Sequence, residues 1–259
     1  MRHRNAHFPN RIISLEPSVT ATLLALDRGD RLIAVSEHDE RLLGAQIPKH
    51  LPRVPCTWSV KAEDILPLEP DIVVASVPLR RESWQDLVMA GIDILLLHPQ
   101  HLDSIYRNIR LLAALTDARE QGEKIIASME NTFAHLWEHS NEHPSFRIYV
   151  EVWPRPLMNG AAWHGDIVSL LGGEFVPHGF NRVVESEEII AADPDVILVI
   201  WPGVEQPPLE KIYQRPGWEQ ITAVQKGRVI SIPEIWINAP GPNLAQGAEM
   251  LADVLRKVL

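Results

Sequence analysis

At 259 residues the chain is long enough for one large domain or two of ordinary size, and its 46% hydrophobic and 22% charged content is that of a folded globular protein. A formal net charge of −10, with no Lys/Arg run, excludes a surface built to neutralise phosphates, so nucleic acid is not an expected partner. The single cysteine, Cys56, excludes an intrachain disulfide and a cysteine zinc cluster, and no run approaches the roughly 18 apolar residues of a membrane span.

In chain order, "RIISL" (Arg11 to Leu15) is a short run rich in β-branched residues, and the following "EPSVTATLLALD" reads as a helix capped by Ser18 or Thr20. "RLIAVS", "DIVVASV" and "IDILLLH" are further strand-like runs, separated by helical patterns such as "RESWQDLVMAG". That alternation predicts a parallel sheet covered by helices, a first lobe over residues 1–99. Residues 100–144 hold no strand-like run and form a helical linker. In it Ile125, Met129, Phe133, Leu136 and Trp137 make the stripe of an amphipathic helix over about 117–142, with Asp117 and Glu120 as a capping pair. Such a helix would be about 39 Å long. After Pro144 the α/β pattern resumes with "FRIYVEVW", "PRPLMNGAAWHGDIVSLLGG", "DVILVIW" and "RVISI" and closes with the helical "NLAQGAEMLADVLRKVL", a second lobe over 145–259.

One phrase occurs twice. "EDILPLEPDIVVA" begins at Glu63 and "EEIIAADPDVILV" at Glu187, 124 residues apart, each with Glu first, Ile third, Pro-Asp at the eighth and ninth positions and then three apolar residues. The repetition points to two similar halves. The expected fold class is α/β: two similar lobes with mostly parallel sheets, joined by one long backbone helix, with a ligand cleft between the lobes.

Ligands of parallel α/β sheets bind beyond the carboxyl ends of the strands. Three of the eight tryptophans, Trp153, Trp201 and Trp236, fall at predicted strand ends, with Trp58 and Trp163 in nearby loops. Aromatic rings with a few polar groups suit a large, partly flat organic ligand. Taken singly, each ring reads more readily as the cover of a small core; taken as a set, they read as a ligand surface. His135, His139 and His143 lie at i, i+4 and i+8, a spacing that can hold zinc, but "HLWEH" lacks the zincin order and reads as a solvated helix end. His164 in "WHGD" is a polar or ligand contact rather than a catalytic base, and no nucleophile elbow or phosphate loop is present. Glu63 and Glu187 can stabilise helix starts, or dock matching basic pockets of a two-fold partner.

Together "RIISLEPSVTATLLALDRGDRLIAVS", "EDILPLEPDIVVAS", "VEVWPRPLMNGAAWHGDIVSLLGG", "EEIIAADPDVILVIW" and "GRVISIP" resemble the helical-backbone substrate-binding proteins of ABC importers, which bind vitamin B12, ferric siderophores or haem. The resemblance implies two α/β lobes bridged by a long helix and a non-enzymatic, monomeric protein without cofactor or resident metal. It also implies delivery of a small metal-chelate ligand to a membrane permease dimer, with Glu63 and Glu187 as the docking residues. The cobalamin-binding branch looks nearest. Trp58, Trp153, Trp201 and Trp236 would then surround a corrinoid, with His38, Arg155, His164 and Asn238 as polar contacts. A ferric siderophore or haem is the alternative ligand, a cytosolic cofactor-sequestering relative the alternative role, and a metal-dependent hydrolase the distant one. No export signal or lipid-attachment cysteine is visible near the start. The expected location is therefore periplasmic or extracytoplasmic where a signal peptide has been removed, and cytoplasmic where the chain is complete as written.

Overall fold

A computed structural model describes residues 8–140 and 145–259. The chain divides into two compact units, Met1–Pro99 with Asp103–Ser128, and Gln100–Leu102 with Met129–Leu259. The first contains β1 (Ile12–Ser14), α1 (Pro17–Ala25), β2 (Leu32–Ser36), α2 (Glu37–Leu43), β3 (Arg53–Val54), α3 (Ala62–Ile65), β4 (Ile72–Ser76), α4 (Arg81–Met89) and β5 (Ile94–Leu97). Two helices follow, α5 (Leu102–Leu115) and the long α6 (Arg119–His139). The second unit contains β6 (Phe146–Pro154), β7 (Leu157–Asn159), α7 (Ala162–Leu170), β8 (Gly173–Phe175), α8 (Ser186–Ala192), β9 (Val196–Val199), α9 (Glu210–Tyr213), α10 (Thr222–Gln225), β10 (Val229–Ser231), α11 (Glu234–Ile237) and α12 (Leu244–Val258).

The first sheet has the order β3-β2-β1-β4-β5 with every pair parallel. The second has the order β10-β9-β6-β7, with β8 also on β6. Its pairs are parallel except β6–β7, an antiparallel hairpin turning at Arg155 and Pro156. Two α/β units with mostly parallel sheets and a long helix are thus present, as expected. The hairpin is a correction: "WPRP" reads as a loop, yet Trp153 and Pro154 remain on the strand, where Pro154 is tolerated because β6 has reached its end. Each sheet packs its own core, with Ile13, Val73, Ala75 and Leu87 in the first unit and Tyr149, Ile197, Val199 and Trp218 in the second.

The repeated phrase is a repeated joint. Its seventh residue, Glu69 or Asp193, takes a left-handed conformation (φ 45° and 42°) that stops the preceding helical turn, and the proline after it cannot resume one. The next residue turns its carboxylate onto the entering strand. Asp71 accepts the Asn10 and Arg11 N–H groups at 2.9 and 3.0 Å, and Asp195 accepts the Arg147 N–H at 2.8 Å. In return, Arg11 donates to the carbonyls of Leu68 (2.6 Å) and Glu69 (2.8 Å), and Arg147 to that of Ala192 (2.8 Å). A cation thereby satisfies the orphan carbonyls at a helix end. The strand registers also correspond, Ile12 opposite Ile72 and Ile148 opposite Val196.

Three local expectations change. Helix α1 starts at Pro17 with Glu16 as N-cap, and Ser18 and Thr20 are buried inside it, because proline at the first position already meets the steric demands of a helix start. Asp117 is a left-handed turn residue (φ 55°) between α5 and α6 rather than a cap. On α6 the buried stripe is Gly122, Ile126, Met129 and Phe133, while Trp137 is exposed. Gly122 serves a close approach: a Cβ there would lie 2.6 Å from that of Ala113 on α5.

Candidate functional site

In the first unit His38 and Trp58 lie beyond the carboxyl ends of β2 and β3. Ser36 ends β2 and caps α2, its Oγ accepting the Asp39 N–H at 3.1 Å. The Asp39 carboxylate is fully buried and receives the hydroxyls of Ser36 and of Thr20 on α1. Burial raises its pKa from 3.8 to about 6, although both hydroxyls and the nearby His38 oppose the shift. Glu37-His38-Asp39 is therefore the first turn of a helix tied to α1, not an open loop, and His38 is half-buried within it. The sequence does carry a signal for this: an acid three residues after Ser36 is a helix-start pattern. Trp58 sits in the turn after β3 and is exposed.

In the second unit the predicted tryptophans separate. Trp153, at the end of β6, is 45% exposed, and its Nε1–H donates to the Arg155 carbonyl at 3.0 Å, so the ring is held with its indole donor occupied. Arg155 is exposed at the hairpin turn. Trp201 is only 7% exposed and belongs to the core. Its Nε1–H donates at 3.0 Å to Glu151, a fully buried carboxylate that also takes a two-pronged contact from Arg215 at 2.6 and 2.8 Å. Arg215 in turn lies 4.4 Å from the Trp218 ring centre. Sequence reading missed Glu151, although an acid inside the apolar run "RIYVEVW" announces a buried charge that needs a partner.

His164 makes polar contacts, one of the two roles expected of it. It is buried, with Nδ1 accepting the Ala161 N–H at 2.8 Å and Nε2 2.9 Å from the Ile237 carbonyl. Those partners fix one tautomer, a neutral ring donating from Nε2, and leave neither nitrogen for a ligand. Burial lowers its pKa from 6.5 to about 4, against the two backbone hydrogen bonds. Trp163, also buried, donates to the same Ile237 carbonyl at 3.1 Å. Trp236 and Asn238 flank that residue and are half-buried.

Glu63 and Glu187 occupy corresponding positions, the second residue of α3 and of α8, and both are exposed. One residue on, the Asp64 and Glu188 carboxylates reach back to the N–H groups of Lys61 (2.9 Å) and Glu185 (3.0 Å), which leaves the second-position glutamates pointing outward. Glu63 pairs with Lys61 at 3.1 Å, an exposed contact of little energetic weight. The His135 and His139 rings lie 4.2 Å apart between centres, tilted at 53°, with His139 Nδ1 bonded to the His135 carbonyl, whereas His143 lies outside the described residues. Among the described residues no group of three His, Cys, Asp or Glu side chains is placed to hold a metal ion.

Residues 12–235 match the sequence model of the family described as periplasmic binding protein. The chain belongs to that family. Its members are solute-binding proteins, so the chain is a binder and not an enzyme. An uncharacterized ABC transporter substrate-binding lipoprotein, YvrC, of Bacillus subtilis (strain 168) is 26% identical over 95% of this chain and 79% of its own length. The vitamin B12-binding protein of Pectobacterium carotovorum subsp. carotovorum (strain PC1) is 28% identical over 95% of this chain and 88% of its own. Among solved structures, the periplasmic heme-binding protein RhuT from Roseiflexus sp. RS-1, in apo form, superposes with a TM-score of 0.83 at 21% identity, covering 96% of this chain and 98% of that one, a likeness of fold. Among the described residues no helix is long and apolar enough to cross a membrane.

Proposed function

We propose that the chain is the substrate-binding protein of an ABC importer, acting as a monomer outside the cytoplasm, and that its ligand is a corrinoid such as cobalamin. The observation that carries this reading is Trp153: a large ring nearly half exposed at the end of the central strand, with its polar edge already bonded. Such a ring offers an apolar face to a flat macrocycle without an unsatisfied donor. Trp58, Trp236, His38, Arg155 and Asn238 are the further contacts, while Trp201 and His164 act behind them. The 28% identity with a vitamin B12-binding protein along 95% of the chain supports the choice of ligand.

Titration with cyanocobalamin, followed by calorimetry and tryptophan fluorescence, is expected to give one-to-one binding at micromolar Kd or tighter, about −8 kcal/mol. Trp153→Ala should weaken binding about tenfold or more, and Trp58→Ala less. Saturable binding of haemin or a ferric siderophore with none of cyanocobalamin would move the ligand and keep the importer. Glu63 and Glu187 are the proposed contacts to the permease dimer. Uptake by cells carrying Glu63→Arg with Glu187→Arg is expected to fall about tenfold or more while ligand affinity stays within about twofold, since exposed charges act on partner choice more than on the fold. Undiminished uptake would remove the docking role.

A further inference from the structure

The segment Glu234–Asn238, which follows β10 and contains α11, is bonded to the rest of the second unit along its length. At its start the Glu234 carboxylate accepts the Gly203 N–H at 2.8 Å, which ties it to the loop after β9, and the Glu234 carbonyl accepts the Asn238 N–H at 2.8 Å. In its middle, the Trp236 carbonyl rests against α12 at Gly247, where a Cβ would come within 1.8 Å of it. No side chain fits at Gly247 without moving one element from the other. At its end the Ile237 carbonyl receives two donors at once, Trp163 Nε1–H and His164 Nε2–H.

We propose that His164 is a positioning residue: together with Trp163 it clamps the Ile237 carbonyl and thereby presets Trp236 and Asn238 for ligand. The inference deepens the binding function proposed above and rests on it for the word ligand. His164 occupies the third position of α7, and its Nδ1 bond to the Ala161 N–H is what the acid of a capping box would make. The ring therefore has two attachments. One anchors it to the start of its own helix, and the other carries that fixed position across to a segment 73 residues away. Val150, Ile167, Val168, Leu198 and Leu251 line an apolar void with His164 and Ile237, and both partners of the bond are buried, where a hydrogen bond is stronger than in water. A backbone held in this way loses little further freedom when a ligand arrives, which raises affinity without adding a contact.

The test compares His164→Leu, which deletes the donor, with His164→Gln, whose terminal amide can reach the same carbonyl, and with Leu171→Ala, which destabilises α7 without touching Ile237. Amide exchange at residues 236–238 should accelerate about tenfold or more in His164→Leu, return toward wild type in His164→Gln and stay near wild type in Leu171→Ala. Cyanocobalamin Kd should follow the same order, with a loss of about fivefold or more in His164→Leu. Unchanged exchange in His164→Leu, or equal acceleration in Leu171→Ala, would overturn the clamp. Failure of the wild-type protein to bind cyanocobalamin or haemin would count against the ligand reading, and the exchange measurement would still decide the clamp.

Discussion

Replacing Arg215 with alanine is expected to destabilise the protein by about 3–5 kcal/mol, the cost of leaving a buried charge without its partner. Glu151 lies in the middle of β6, between Asn159 of β7 and Val199 of β9, with no exposure to solvent. Arg215 supplies two of its hydrogen bonds and the balancing charge, and Trp201 the third. Removing the guanidinium forces the carboxylate to stay charged and unpaired, to take up a proton, or to draw water into the core, and each route costs free energy. Lysine should recover only part of the loss, because an ammonium cannot match both carboxylate oxygens in the plane or stack on Trp218. Replacing both Glu151 and Arg215 with apolar residues of similar volume should cost less than Arg215→Ala alone, since it removes the desolvation burden along with the attraction. Urea unfolding of the three variants gives the comparison. A loss under about 1 kcal/mol for Arg215→Ala would mean that the pair is no more than a surface contact.

The same network shows what sequence can and cannot convey. The Glu-to-Pro-Asp phrase was legible as a repeat because its pattern of glutamate, proline, aspartate and apolar residues is local, whereas the contacts of Asp71 and Asp195 with Arg11 and Arg147, 60 and 48 residues away, were not. The strands and long helix were legible for the same reason, their period being written into consecutive residues. Trp153 and Trp201 look alike in sequence, each ending a strand and preceding a proline, yet one is open and the other buried. The difference lies in Glu151 and Arg215, 64 residues apart, whose pairing draws the Trp201 indole inward. The partner of His164 was hidden for a similar reason. It is a carbonyl 73 residues away, which no local pattern reveals. The hairpin at Arg155 was hidden because two prolines in four residues read as a loop, although a strand that is ending its ladder accommodates them.

Two buried titratable groups, Asp39 and His164, should make the units respond to pH with opposite sign. Asp39 is bound to a proton more readily in the folded state, with a pKa of about 6 against 3.8. Between those values the folded state holds more protons than the unfolded one, so stability is highest below about pH 4 and declines as pH rises through 6. At about 1.4 kcal/mol per pH unit the decline is about 3 kcal/mol. His164 has a folded pKa of about 4 against 6.5, so the unfolded state takes the proton first. Its contribution is present above pH 6.5 and is lost as pH falls through 4, again by about 3 kcal/mol. Asp39 belongs to the first unit and His164 to the second. Asp39→Asn should therefore raise the melting temperature at pH 7.5 and have little effect at pH 4, while His164→Gln should flatten the acid limb and leave the neutral one nearly unchanged in slope. Amide exchange, corrected for the intrinsic pH dependence, should show the first unit's peptides better protected at pH 5 than at pH 7.5 and the second unit's peptides the reverse. If Asp39→Asn melts below wild type at pH 7.5, the Ser36 and Thr20 hydroxyls compensate the buried charge fully, and α2 is held by a stable carboxylate rather than by a strained one.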